Sequence, residues 1–239
     1  MRIRFAVVVG VSLLLGLASV APAGQGPRVI LALGNPSFIN AAAAQQAIGA
    51  QVSQDAGMPL QNVAVLVLAN APLRSLPQAL QERLVEYVSS GGALLITGGS
   101  QAFGSGGYQA VASIIPFQIR SDNDWRFIGF RSPVALQPGH PILAGVSFIT
   151  VGTVNDMNPR PDATEILQSP GGGRATTAAG GGGGGSFPSA LIAELSVGAG
   201  RVIGIAFDLN DIAGMRDRDL FIQNTLGYLL ATSGAGLPR

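Results

Sequence analysis

Ser100 is the side chain in this sequence best placed to act as a nucleophile. It stands in Gly98-Gly99-Ser100-Gln101-Ala102, directly after the apolar run Ala93 to Thr97. That order approximates the G-x-S-x-G turn, which lifts a serine clear between a strand and a helix. A hydrolase built on Ser100 would need a base, and the chain holds one histidine, His140, in Gly139-His140-Pro141. His140 precedes Asp156 and Asp208, whereas hydrolases of this type run serine, acid, histidine. Ala102 replaces the second glycine, and the glycine-rich stretch beyond it starts a helix poorly. Each residue also has a plainer role: Ser100 bonding turn backbone groups, His140 capping a loop. Serine-dependent hydrolysis through Ser100 and His140 is therefore the alternative function.

Other chemistry is thinner still. With one histidine and no cysteine, zinc would need at least two carboxylates converging on His140, so no metal is expected. Asp208, Asn210, Asp211, Asp217 and Asp219 gather after the last long apolar run and could offer oxygens to calcium. They lack the spacing of a dedicated loop, and helix capping by Asp211 or Asp217 is the simpler account. The glycine tracts between 171 and 185 lack the Lys-Ser/Thr ending of a phosphate cradle, so no cofactor is expected. Phe103, Tyr108, Trp125 and Phe127 surround the glycine turn, where aromatics either form a sugar or peptide platform or pack a core. The expected ligand-binding edge is Gly98, Gly99, Ser100, Phe103, Gly104, Tyr108 and Asp208, the glycines serving positive φ or close approach to a ligand.

The elements that must position these residues follow from the pattern. Val29 to Leu33, Val63 to Leu68 and Ala93 to Thr97 are short continuous apolar runs, the signature of buried parallel strands. Asn40 to Val52 reads as a helix with Ile48 and Val52 on one face. Leu76, Leu80, Leu84, Val85 and Val88 form the stripe of a second helix, opened by Ser75 and Pro77 and closed by Gly91. The β-α-β-α-β alternation implies right-handed crossovers. The turn at Gly98 then sits at the carboxyl edge, where open α/β sheets place their sites. Val111 to Ile115 reads as a short helix. Phe127 to Phe130, Val134 to Leu136, Val146 to Val151 and Thr164 to Leu167 read as a partly antiparallel section. Leu191 to Leu195 and Arg201 to Phe207 read as paired strands. Asp217 to Leu230 closes the chain as a helix with Leu220, Phe221, Thr225, Leu229 and Leu230 inward.

Composition sets the outer bounds. Residues 1 to 23 carry Arg2 and Arg4, then an uncharged apolar stretch from Phe5 to Val20, then Ala21-Pro22-Ala23. That is the order of a secretory signal peptide, and about sixteen apolar residues fall short of the roughly twenty that span a bilayer. The expected product is exported, periplasmic or extracellular, touching membrane only if this segment stays attached. Residues 24 to 239 suit one domain, with 171 to 185 a flexible glycine-rich loop. All basic residues are arginine; removing Arg2 and Arg4 from 14 leaves 12 against 13 carboxylates. A balance of −1 with no basic run excludes a nucleic-acid footprint. Without cysteine there are neither disulfides nor thiolate catalysis.

Three segments carry a family likeness: Tyr87 to Gly99 with Phe103-Gly104 and Gly106-Gly107-Tyr108, then His140-Pro141-Ile142-Leu143-Ala144-Gly145-Val146, then Gly200 to Asp208. In their order the chain resembles the class I glutamine amidotransferase-like superfamily, specifically the domains that bacteria carry in exported and membrane proteins, over roughly residues 28 to 231. The resemblance implies a flavodoxin-like three-layer α/β/α sandwich with a mostly parallel sheet and a partly antiparallel C-terminal section. Active members use a cysteine nucleophile, which this chain lacks. The expectation is a non-catalytic domain that binds a protein, small molecule or carbohydrate, or acts in assembly.

Overall fold

The computed structural model of the protein describes residues 28–147, 150–170, 189–212 and 215–234. The signal-peptide segment and the glycine-rich segment 171 to 185 lie outside these. No helix among the described residues is long and apolar enough to cross a membrane.

Strand β1 (Arg28–Gly34) leads to helix α1 (Ala41–Ile48), edge strand β2 (Ala50–Ser53) and strand β3 (Val63–Ala69). Helix α2 (Gln78–Ser89) crosses to β4 (Ala93–Thr97), which is followed by the one-turn helix α3 (Phe103–Gly106) and a 3-10 segment Tyr108–Ile114. Then come β5 (Phe117–Ile119), β6 (Trp125–Arg131), β7 (Val134–Ala135), β8 (Val151–Asn155), β9 (Met157–Pro159) and β10 (Thr164–Gln168). The hairpin β11 (Ala190–Val197) and β12 (Gly200–Ile205) precedes the closing helix α4 (Arg218–Thr232).

Eight strands form the main sheet in the order β2-β1-β3-β4-β12-β11-β10-β7. The pairs from β2 through β12 are parallel, and those among β12, β11, β10 and β7 are antiparallel. This is the expected flavodoxin-like α/β arrangement. Every residue of β3 and β4 is buried, which is why both read as unbroken apolar runs with no polar face. Side chains alternate between two cores: Val65, Val67 and Leu95 join Phe221, Leu226 and Leu229 of α4 on one face. Leu66, Leu68, Leu94 and Ile96 join Leu80, Leu84 and Val88 of α2 on the other. Each fully buried Leu or Ile contributes about 1.5–3 kcal/mol. Two small antiparallel pairs, β5-β9 and β6-β8, lie outside the main sheet.

Several expectations need correction. The first helix does not reach Val52: Gly49 takes φ 65°, ends α1, and frees Ala50 to Ser53 to pair with β1 as an edge strand. Asn40 caps that helix, its Oδ1 accepting from Ala43 N–H at 3.0 Å. Val111 to Ile115 is not α-helical; the chain there forms 3-10 turns that Val111 interrupts at φ −123°. Strand β8 begins at Val151, where the expected strand would have ended. Val85 and Leu220 face solvent, although both belong to the apolar stripes of the sequence. At the far end, Gly234 N–H donates to Gly91 O at 2.8 Å, docking the end of α4 beside the start of β4.

Candidate functional site

The parallel strands β1, β3, β4 and β12 exit at one common edge, and their first turn residues are stitched together. Asn35 N–H donates to Ala69 O (2.7 Å), Asn70 N–H to Thr97 O (3.3 Å), and Gly98 N–H is shared between Ile205 O (2.7 Å) and Phe207 O (3.1 Å). Above this seam runs a line of side chains. Asn70 Oδ1 accepts from Gln101 N–H at 2.9 Å, and its Nδ2 donates to Asp208 Oδ2 at 3.1 Å. Asp208 Oδ1 accepts from Asn210 N–H at 2.8 Å. Asn210 Nδ2 reaches Asn35 O at 3.0 Å, and Ser37 Oγ donates to Asn210 Oδ1 at 2.7 Å. Asparagine suits such exits because its short amide replaces a backbone turn and tolerates positive φ; Asn70 sits at φ 43°.

Beneath the rim, Asn155 braces the glycine turn. Its Oδ1 accepts from Gly99 N–H at 2.9 Å, and its Nδ2 donates to Gly99 O at 3.2 Å and to Asp124 Oδ1 at 2.9 Å. Asp124 Oδ2 in turn accepts from Gly104 N–H at 3.0 Å. Burial pushes the Asp124 carboxyl above its usual range despite these bonds. Asp211, beside the rim, is also raised, by burial and then by the charge of Asp208. Thr97 Oγ1, at the end of β4, is buried and has no hydrogen-bond partner among the described residues.

Ser100 is exposed on this edge, as are Ser37 and Gln101. His140 is not with it. Its Nε2 lies 2.9 Å from Glu194 Oε2 and its Nδ1 accepts from Ile142 N–H at 3.3 Å, so both ring nitrogens are engaged. Glu194 Oε1 also takes Tyr228 OH at 3.0 Å and pairs with Arg201, while the His140 and Tyr228 rings meet edge to face at 5.0 Å. This part-buried cluster ties β11, β12 and α4 together and keeps the chain's one histidine away from Ser100.

The aromatic platform needs correction as well. Phe103 and Tyr108 are fully buried. They pack against each other at 5.9 Å, Phe103 meets Phe117 at 5.5 Å, and Tyr108 OH donates to Ala71 O at 2.8 Å. Neither can stack on a ligand at the surface. Phe103 nonetheless carries positive φ, 44°, at the first residue of α3, so the strained non-glycine position on this strand-to-helix turn holds a hydrocarbon. Trp125 is half-buried, while Phe127 is exposed on β6, away from the core.

The glycines serve packing more than ligand approach. A Cβ on Gly98 would collide with Asn155 Oδ1, and one on Gly104 with Ser121 O; neither glycine has positive φ. Gly99 combines φ 139° with contact on Asn70, whereas Gly107 has φ 80° and open space. The calcium grouping is dispersed: the Asp217 carboxylate takes Ser147 N–H at 2.9 Å and Ser147 OH at 2.5 Å instead of capping α4. Among the described residues no group of three or more His, Asp or Glu could hold a metal ion.

No family model and no curated protein matches the chain. Solved structures do. A cytoplasmic protein from Salmonella typhimurium superposes with TM-score 0.64 at 16% identity, covering 84% of this chain and 98% of that one. A ThuA-like protein from Bacteroides uniformis gives 0.56 at 10% identity, covering 90% and 98%. A GMP synthase subunit from Thermoplasma acidophilum gives 0.53 at 14%, covering 87% and 96%. These likenesses are consistent with a glutamine amidotransferase-like fold. At such identities they carry the fold alone.

Sequence patterns did not point to Asn35, Asn70, Asp124 or Asn155. For the first two a signal exists: each is the first non-glycine residue past a parallel strand, in Gly34-Asn35-Pro36 and Ala69-Asn70-Ala71. Asp124 and Asn155 are brought to the turn by the β6-β8 pairing and by the bond from Asn155 N–H to Ala206 O, which no local pattern announces.

Proposed function

We propose that the protein is an exported, non-catalytic glutamine amidotransferase-like domain that binds a ligand or partner at the carboxyl edge of its sheet. The observation that carries this is the turn after β4. Ser100 is exposed there without a base, and the strained position is Phe103. An enzyme needs nucleophile, base and orienter in one place. A binding edge needs only shape and polar groups. Among the described residues the rim Ser37, Asn70, Gln101 and Asn210 offers amides and a hydroxyl and no cation, and the Asp208 carboxylate lies buried beneath it, held by Asn70 and Asn210. That chemistry suits a hydroxyl-rich neutral ligand such as a carbohydrate better than an anion.

The test has two arms. Purified protein incubated with glutamine and with a panel of activated esters should release neither ammonia nor alcohol above a boiled control. Calorimetric titration with neutral oligosaccharides should give binding that Gln101→Ala and Asn210→Ala each weaken. Turnover that disappears in Ser100→Ala would replace this reading with the hydrolase. Binding indifferent to both rim variants would remove the edge from it.

A further inference from the structure

We propose that the β6-β8 ribbon docks on anionic lipid bilayers. Among the described residues six large apolar side chains remain exposed, and four of them, Phe127, Phe130, Val134 and Leu136, fall within ten consecutive positions. Phe127 is 67% and Phe130 80% exposed. In a regular strand residues three apart point to opposite faces. Here Gly129 takes φ 77° and the register with β8 shifts between Phe127 and Arg131, a bulge that turns both rings to one side. Their centroids lie 5.7 Å apart. Gly152 on β8 makes room for them: a Cβ there would meet Phe130 at 2.8 Å and Phe127 at 3.5 Å. The ribbon is thus shaped to hold two phenylalanines in water, a cost a partner must recover.

Charge selects that partner. No aspartate or glutamate occurs between Asp124 and Asp156, whereas Arg126 and Arg131 flank the rings. The Arg126 side chain is 59% exposed with only a 3.7 Å approach to Asp156. Arg131 Nε is bonded to the ribbon's own Ile128 O, and no carboxylate of the described residues pairs with it. The two rings are therefore flanked by arginines, while Glu165 of β10 stands beside the Leu136 end of the patch. A second copy would bring like charges together across a two-fold axis. A carbohydrate would need a flat platform, and the two rings stand at 79° to each other. A bilayer asks for no complementary groove: protruding phenylalanines enter the interface while arginines meet lipid phosphates. This contact is separate from any attachment through the N-terminal apolar run, and it does not depend on the ligand edge.

The chain supplies its own reporter. Trp125 is the single tryptophan and lies on β6 two residues from Phe127. The full chain is mixed with vesicles of phosphatidylcholine, alone or with about a third phosphatidylglycerol, and followed by Trp125 emission and co-sedimentation. Anionic vesicles should shift the emission to the blue, neutral vesicles should not, and 0.5 M salt should reverse the shift. Phe127→Ser with Phe130→Ser should abolish the shift and weaken partitioning at least tenfold. Arg126→Gln and Arg131→Gln should each weaken it about fivefold. Because these side chains are exposed, the melting midpoint should stay put, and that is measured alongside. Sedimentation without a change at Trp125 would mean attachment by the N-terminal run and overturn the proposal. An equal shift with neutral vesicles would overturn it too, as would a dimer that the double phenylalanine variant dissolves.

Discussion

Asn155 grips Gly99 from both sides, accepting its N–H at 2.9 Å and donating to its carbonyl at 3.2 Å. The side chain acts as a strand partner for a single buried residue, bonding both its N–H and its C=O, and its remaining N–H holds Asp124. Asn155→Ala leaves two buried polar groups, Gly99 N–H and Asp124 Oδ1, short of a partner, at about 1–3 kcal/mol each before relaxation, while Gly99 O keeps Ala102 N–H at 3.2 Å. The expected loss is at least about 2 kcal/mol in urea unfolding. Asn155→Asp should not restore it at neutral pH, because a carboxylate cannot donate and would face Asp124. A loss under 0.5 kcal/mol for the alanine variant would show that water replaces the brace.

Thr97 presents the opposite case. Its hydroxyl is buried at the end of β4 with no partner among the described residues. Thr97→Val keeps the shape and removes the unsatisfied group, so it should stabilise the protein by about 1 kcal/mol. A destabilised valine variant, read by thermal melting, would mean that the hydroxyl is bonded in solution.

Alanine scanning of the turn glycines should rank by space and φ together. Gly104→Ala collides with Ser121 O, and Gly99→Ala with the Asn70 amide at φ 139°. Both should lose more than about 2 kcal/mol. Gly107→Ala has room and is strained only by φ 80°, at about 1 kcal/mol. Equal losses at Gly104 and Gly107 would show that close packing does not set the order.

Asp124 gives a pH signature. Burial, with Asp156 adding to it, raises the Asp124 carboxyl above its ordinary range. A carboxyl raised in the folded state contributes stability while protonated, below its unfolded value of about 3.9, and loses it as pH climbs through the folded value. Asp124→Asn removes that titration. The melting difference, variant minus wild type, should therefore move in the variant's favour as pH rises from about 4, then level off. A difference that is flat across pH 3.5 to 7, or that moves the other way, would contradict the assignment.

The fold was legible where one element decides its own environment. Val63 to Leu68 and Ala93 to Thr97 are apolar at every position because both sheet faces are covered, and helix α2 shows its stripe because one face alone is buried. Edge strand β2 was not legible: its four residues show no clean alternation of burial and are too few to outweigh the alanine-rich helix before it. The site divides in the same way. Ser100, Gln101 and Asp208 lie next to strands that announce themselves, so their place on the rim follows from local sequence. Whether Ser100 has a base depends on where His140 goes. Glu194, 54 residues further along the chain, takes it, a contact that has no imprint in the sequence around residue 140. Phe103 and Tyr108 misled because an aromatic beside glycines looks the same whether it lies over the turn or under it.

The bond between Gly234 and Gly91 gives the molecule a front and a back. Gly91 precedes β4, and Arg28 opens β1, which runs parallel to β4 through β3. Both described ends of the chain therefore emerge on the amino side of the sheet, while Ser37, Asn70, Gln101 and Asn210 face the other way. Whatever is joined before Arg28 or after Gly234, a tether, a tag or a neighbouring module, starts behind the domain. The polar rim is left pointing outward, presented to whatever approaches.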